Sequence, residues 1–245
     1  LDIKCRLGNL KPNAVVLVAT IRALKMHGGV EVENLAEENI DALMNGVQNL
    51  QKHIESIKEY DIPYIIAINR FAKDTQKELN ALMNWCKEQG HPVEISDGWA
   101  NGGKGMEDLA QAVVHLCENP SNYHPIYDVN ASIEEKIKAI VTKIYGGSDV
   151  EYTQEAIEQI AKMKKHGWDK LPICMAKTPS SLTDDAKIVG RPEGFKIHVR
   201  EVKVSAGAGF LVVMTGNVLT MPGLPKVPAA NGMGVEENGT SYGLF

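Results

Sequence analysis

The sequence predicts an α/β protein: a mostly parallel sheet flanked by helices, with a smaller C-terminal α+β domain containing a β-hairpin. Three observations predict it. The runs Ala14–Ala19 and Tyr64–Asn69 are continuous, Val- and Ile-rich and strand-sized, as expected of strands buried on both faces. Between and after them, apolar residues recur three and four positions apart. This strand–helix alternation marks a parallel sheet. The last third then changes to two β-rich runs, 196–205 and 210–215, joined by Ala206-Gly-Ala-Gly209, which reads as a hairpin.

Each element follows from local chemistry. After Ala14–Ala19 and a Gly28-Gly29 break, the apolar positions Ile40, Leu43, Val47, Leu50, Ile54 and Ile57 form one helical stripe. Tyr60-Asp61-Ile62-Pro63 ends that helix, because a proline disfavours helical backbone before it. Tyr64–Asn69 is the second strand. Thr75-Gln-Lys-Glu78 is a capping box opening a helix with Leu79, Leu82, Met83 and Cys86 inside, and Gly90 stops it. His91–Ser96 is a short strand, and the glycine-rich turn 98–105 leads into a helix over 106–117. The loop-like stretch 119–129 marks a boundary. Ser132-Ile-Glu-Glu135 is a second capping box, ahead of Ile133, Ile137, Ile140 and Ile144. Thr153 caps the next helix, with Tyr152 and Ile157 spaced as a hydrophobic staple. In the run 196–205 the alternation slips at Arg200-Glu201, which predicts a bulge. The proline-rich tail from Met221 cannot be a central strand.

Composition narrows the function classes. The chain has 245 residues, 44% hydrophobic and 23% charged, which excludes a disordered chain, a collagen-like chain and a disulfide-rich mini-protein. A net charge of −5 argues against a broadly basic surface, so no nucleic-acid partner is expected. No apolar run reaches membrane-spanning length, so no membrane partner is expected either. The first residues carry charges where a signal peptide is apolar, and the 4 cysteines are scattered with no CxxC pair. Both features suit a reducing, cytoplasmic location, and no metal site is expected.

Several motifs carry alternatives. Gly98-Trp-Ala-Asn-Gly-Gly-Lys104-Gly105 nearly spells a phosphate loop, but Gly105 stands where Ser or Thr is required. It reads as a helix entry, or as a looser anion-favouring loop through backbone N–H groups and Lys104. Asn69-Arg-Phe-Ala72 follows a buried strand, at the sheet edge where such folds bind ligands. Ala72 lacks the carboxylate a guanine-reading motif has there. Phe71 and Trp99 are aromatic residues in polar loops, and strand-end loops from adjacent βα units bring them to one side of the sheet. Together they are candidates to sandwich a flat heterocycle. His27 before Gly28-Gly29 reads as a ligand, an acid–base group or a turn residue. The segment Met221-Pro-Gly-Leu-Pro225 is a rigid loop whose chemistry names no ligand.

The blocks Ala14–Gly29 (AVVLVATIRALKMHGG), Ile68–Thr75 (INRFAKDT), Leu171–Thr178 (LPICMAKT), Gly190–Gly194 (GRPEG), Val202–Phe210 (VKVSAGAGF) and Met221–Ala229 (MPGLPKVPA) occur together and in order. As a set, spanning essentially the whole chain, they closely resemble the formate–tetrahydrofolate ligase (10-formyltetrahydrofolate synthetase) family. The resemblance implies an ATP-driven ligase. ATP with Mg2+ phosphorylates formate, and N10 of tetrahydrofolate captures the formyl phosphate. It makes tetrahydrofolate, formate and ATP the partners, and leaves room for a monovalent cation and a homo-oligomer in the full-length enzyme. It implies that Phe71 and Trp99 sandwich the pterin ring and that Ile95 lines the same pocket. It puts His27, Gly28, Gly29, Asn69, Pro222, Gly223, Leu224 and Pro225 near the nucleotide and folate sites, and it assigns no catalytic residue here.

The resemblance also implies three units: 1–60 as the trailing part of the nucleotide-binding domain, 61–125 as an α/β unit with the pterin aromatics, and 126–245 as the C-terminal α+β domain. The family's Gly-Lys-Thr phosphate loop and the basic residues that hold formyl phosphate have no counterpart in the sequence. Leu1 replaces an initiator methionine, and Gly243–Phe245 matches the family's ending. The expectation is the back portion of a longer enzyme that does not complete the reaction alone. The alternatives are a non-catalytic folate-binding or assembly module acting with a separate N-terminal half, and a P-loop GTPase relative. Gly105 and Ala72 speak against the last.

Overall fold

A computed structural model describes residues 1–218 and 225–243. After a single turn, α1 (Lys4–Leu7), the chain builds a parallel sheet. Its elements run β1 (Val15–Ala19), α2 (Ile21–His27), α3 (Ile40–Lys58), β2 (Tyr64–Asn69), α4 (Gln76–Glu88), β3 (Val93–Ser96), α5 (Gly98–Asn101) and α6 (Glu107–Leu116). The strand order is β1-β2-β3, all parallel, so the expected units 1–60 and 61–125 contribute to one sheet.

One face of the sheet is covered by α2, α3 and α4, whose Leu24, Leu43, Val47, Leu50, Leu79 and Leu82 pack with Ile66 and Ile68. On the other face Leu109 of α6 covers Ile65 and Ala67. The middle strand β2 is therefore buried on both faces, as its apolar run predicts. The same expectation fails for β1. Val16 and Val18 are 40% and 60% exposed. The physical reason is position: β1 is an edge strand among the described residues, and α6 packs on β2 and β3 instead.

Helices α2 and α3 approach closely through two glycines. A Cβ on Gly28 would stand 1.8 Å from the Ala42 carbonyl oxygen, and one on Gly46 1.8 Å from that of Leu24. The Thr75–Glu78 capping box forms with both of its reciprocal bonds.

The second part holds α7 (Ile133–Ala139), which runs into a π-helical turn over Ile140–Tyr145. There follow β4 (Asp149–Tyr152), α8 (Gln154–Lys165), β5 (Ile173–Ala176), β6 (Lys196–Ser205) and β7 (Phe210–Thr215). The Ser132–Glu135 capping box and the Thr153 cap both form. Ile157, the expected outer half of the staple, stays 51% exposed. The hairpin β6–β7 is antiparallel and its register shifts between Val199 and Glu201, where the alternation slips. It is the centre of a mixed sheet, β4-β6-β7-β5, with β4 parallel to β6 and β5 parallel to β7. The two outer strands are four residues each (Asp-Val-Glu-Tyr and Ile-Cys-Met-Ala), too short to show alternation. Ile133, Ile137, Val141, Ile160, Ile197, Val199, Leu211 and Val213 form this core. A small antiparallel pair, β8 (Gly234–Val235) and β9 (Ser241–Tyr242), follows.

The two parts are joined mainly along α3. Lys52 Nζ donates to the Lys143 carbonyl at 2.6 Å, and Ser56 Oγ to that of Ile144 at 2.9 Å. Arg191 clasps the Glu55 carboxylate with two bonds of 2.9 Å. At the N-terminus, Asp2 accepts from the Ile126 amide at 3.0 Å and from the Tyr60 hydroxyl at 2.6 Å.

Candidate functional site

All three strands of the parallel sheet end at one edge, and the loops beyond β2 and β3 carry the two aromatic candidates. Asn69 is the last residue of β2 and pairs with Ser96 at the end of β3. The chain then turns. The Arg70 amide donates to the Ser96 carbonyl at 3.0 Å, which ties the two strand ends together. The Phe71 amide donates to Asp74 Oδ2 at 2.8 Å, and the Asp74 amide returns a bond to the Phe71 carbonyl at 3.0 Å. This closed turn holds Phe71 outward at 42% exposure. Burial pushes the Asp74 carboxyl above its ordinary range, against the pull of the Phe71 amide.

Trp99 projects from α5 and is 81% exposed. A surface this large and apolar left in water is unfavourable for folding, so packing does not explain the residue. An ion pair bridges the two loops: Arg70 Nη1 lies 3.4 Å from Asp97 Oδ2. Asn101 Nδ2 donates to the same oxygen at 2.9 Å. Arg70, Phe71, Ala72, Asp97, Trp99, Ala100 and Asn101 thus line one cleft of about 240 Å³. Ile95 is half-buried one position before Ser96, paired with Ile68, and is not among the residues lining the cleft.

The His27 segment lies elsewhere on this edge. His27 borders a separate recess of about 220 Å³ at the end of β1, with Thr20, Asn49 and His53. Its Nδ1 accepts from the Gly190 amide at 3.1 Å, and Asn49 Nδ2 donates to the Gly190 carbonyl at 2.8 Å. Burial lowers the His27 pKa, so the neutral ring that can accept this bond is favoured. Gly28 is required by the α2–α3 approach, and Gly29 adopts φ 97°. These three residues therefore have structural work in docking the 190–194 loop and packing two helices. Pro222, Gly223 and Leu224 lie outside the described residues, and Pro225 is exposed.

The near-motif 98–105 is not a phosphate cradle. Residues 98–101 are helical, and the Asp97 amide donates to the Gly105 carbonyl at 3.0 Å, closing the loop on itself. A Cβ at position 105 would lie 2.3 Å from the Asp97 carbonyl oxygen, so the hydroxyl residue of a phosphate loop does not fit. Among the described residues no group of three or more His, Cys, Asp or Glu is placed to hold a metal ion.

Two ion pairs are not legible in the local sequence. Arg70 and Asp97 line the cleft, and their only signal is adjacency to the two aromatics. Lys25 and Glu78 form a buried ion pair of 2.8 Å beneath the Phe71 turn, where Glu78 also caps Thr75. Nothing in either local sequence marks it.

No helix among the described residues is long and apolar enough to cross a membrane. In comparison with known families, the model of the family described as formate–tetrahydrofolate ligase matches residues 1–245. The chain belongs to that family.

Proposed function

We propose that this member of the formate–tetrahydrofolate ligase family serves the ATP-dependent joining of formate to N10 of tetrahydrofolate through formyl phosphate, and that its own share of the work is to hold the pterin. The observation that carries the reading is the exposed pair Phe71 and Trp99, presented by adjacent strand-end loops over one cleft. A flat ring entering there covers two aromatic faces that are otherwise wet. Each stacked face is worth roughly 0.5–1.5 kcal/mol beyond the area it buries. Fixing the pterin holds the attached N10 amine against the formyl carbonyl, which is the orientation term of catalysis.

In this reading residues 1–60 belong to the nucleotide side, 61–125 to the pterin clamp and 126–245 to the C-terminal domain. The loop 98–105 does not supply the magnesium-holding hydroxyl of a phosphate loop, because a Cβ at position 105 would meet the Asp97 carbonyl oxygen.

Titration of the purified chain with tetrahydrofolate, read by tryptophan fluorescence, tests the clamp. Binding should change the emission, and Trp99→Ala should remove both the response and most of the affinity. Full-strength binding by that variant would refute the clamp. A second reading, a non-catalytic module that assembles with a separate polypeptide, is favoured by the exposed Val16 and Val18 on the edge strand β1. Co-purification of the chain with a separate N-terminal half, lost on Val18→Lys, would support it.

A further inference from the structure

The floor of the aromatic cleft carries more information than stacking needs. Stacking on Phe71 and Trp99 accepts any flat ring, because every aromatic heterocycle has a π face. Discrimination must come from groups that meet the ring in its own plane, and the cleft offers two charged ones. Asp97 and Arg70 line it together with both aromatics. The Asp97 carboxylate is 17% exposed; its Oδ2 takes Arg70 and Asn101, and its Oδ1 has no protein partner among the described residues. Arg70 is 41% exposed and uses only Nη1 in the pair, and its remaining N–H groups have no protein acceptor among the described residues. The cleft thus offers an acceptor beside a donor, joined by a 3.4 Å bridge.

From this pattern we infer that Asp97 and Arg70 are specificity-determining residues that read the 2-amino-4-oxopyrimidine edge of the pterin. That edge presents two donors, N3–H and the 2-amino group, beside one acceptor, the 4-oxo oxygen. The open Oδ1 of Asp97 can accept from both neighbouring donors, and the Arg70 guanidinium can donate to the oxo oxygen. An adenine-type edge, with a ring-nitrogen acceptor where N3–H would be, confronts the carboxylate with a lone pair and is rejected.

This inference rests on the pterin clamp, and the experiment separates the two. Dissociation constants of the purified chain are measured for tetrahydrofolate and for its 2-desamino-2-methyl analogue, which keeps the ring faces and lacks the amino donor. The wild type should bind the analogue about 10- to 100-fold more weakly, the discrimination expected of a charge-assisted paired contact. Asp97→Asn should lose a similar factor for tetrahydrofolate and a clearly smaller one for the analogue, which keeps only N3–H. Trp99→Ala should weaken both ligands alike. A loss of fold in Asp97→Asn would lower both ligands alike, so the smaller loss for the analogue is its own control, and Asp97→Glu should recover part of the discrimination. The inference is overturned if Asp97→Asn weakens both ligands in proportion, or neither, while Trp99→Ala weakens both. If Trp99→Ala leaves both untouched, the clamp itself falls and the inference with it.

Discussion

Replacing Glu78 by Gln removes one charge from a pair that the fold has taken out of water. Lys25 and Glu78 are 2% and 0% exposed and 2.8 Å apart. Burial by itself would raise the Glu78 pKa; the Lys25 ammonium and the amides of Asn39 and Thr75 more than offset it and hold the carboxyl below its ordinary 4.5. In the variant, Lys25 keeps its 2.7 Å bond to the Glu37 carbonyl but loses its counter-charge. Breaking a buried pair from one side costs about 3–5 kcal/mol. The retained carbonyl bond favours the low end. However, Oε1 takes Lys25 and Asn39 while Oε2 takes Thr75, and a single amide oxygen cannot serve both sets. That loss adds about 1 kcal/mol. The expected destabilisation is therefore about 4 kcal/mol, or roughly 8–16 °C in Tm for a chain of this size. Urea and thermal unfolding followed by far-UV circular dichroism measure it. The double variant Lys25→Met with Glu78→Gln removes both charges and should return to within about 1–2 kcal/mol of the wild type. A single-variant loss under about 1 kcal/mol, or a double variant as unstable as the sum of the singles, would refute the reasoning. The sign with pH is set by the lowered carboxyl: the pair's contribution is complete above pH 4.5 and is lost as pH falls through the folded value.

Three further outcomes are expected. Gly28→Ala drives a methyl group to 1.8 Å from the Ala42 carbonyl oxygen and should cost at least about 3 kcal/mol in a thermal melt, whereas Gly103→Ala, with nothing within 4 Å, should stay within about 0.5 kcal/mol. Gly105→Ser completes the spelling of a phosphate loop but collides with the Asp97 carbonyl. Calorimetry should find no gain in ATP affinity and a stability loss of about 2–3 kcal/mol; acquired nucleotide binding would contradict the loop geometry. His27 should titrate below 6.5 by NMR. Because its folded pKa is the lower one, stability from its bond to Gly190 is complete above pH 6.5 and is lost as pH falls through the folded value; His27→Gln should flatten that dependence, and an unchanged slope would dissociate His27 from the docked loop.

The sequence by itself determined what depends on neighbours along the chain. Apolar spacing placed α3 and α4, the two capping boxes placed helix starts, and the slip at Arg200-Glu201 placed a bulge. It also marked Phe71 and Trp99, because an aromatic residue among polar loop residues has no local reason to be there. What only the tertiary structure decided depends on which surfaces meet. Val16 and Val18 read as core because β1, like β2, is a continuous apolar run; exposure follows from β1 lying at the edge while α6 covers β2. The strands β4 and β5 exist because the β6–β7 hairpin offers them its two outer edges, not because four residues prefer to be extended. The glycine at 105 is explained by a carbonyl brought back by the turn, and Arg70 meets Asp97 because adjacent parallel strands end side by side. Periodicity and caps are short-range, so one strip of sequence holds them. Ion pairs, edge positions and close backbone approaches are long-range, so they come into being only when the sheet closes.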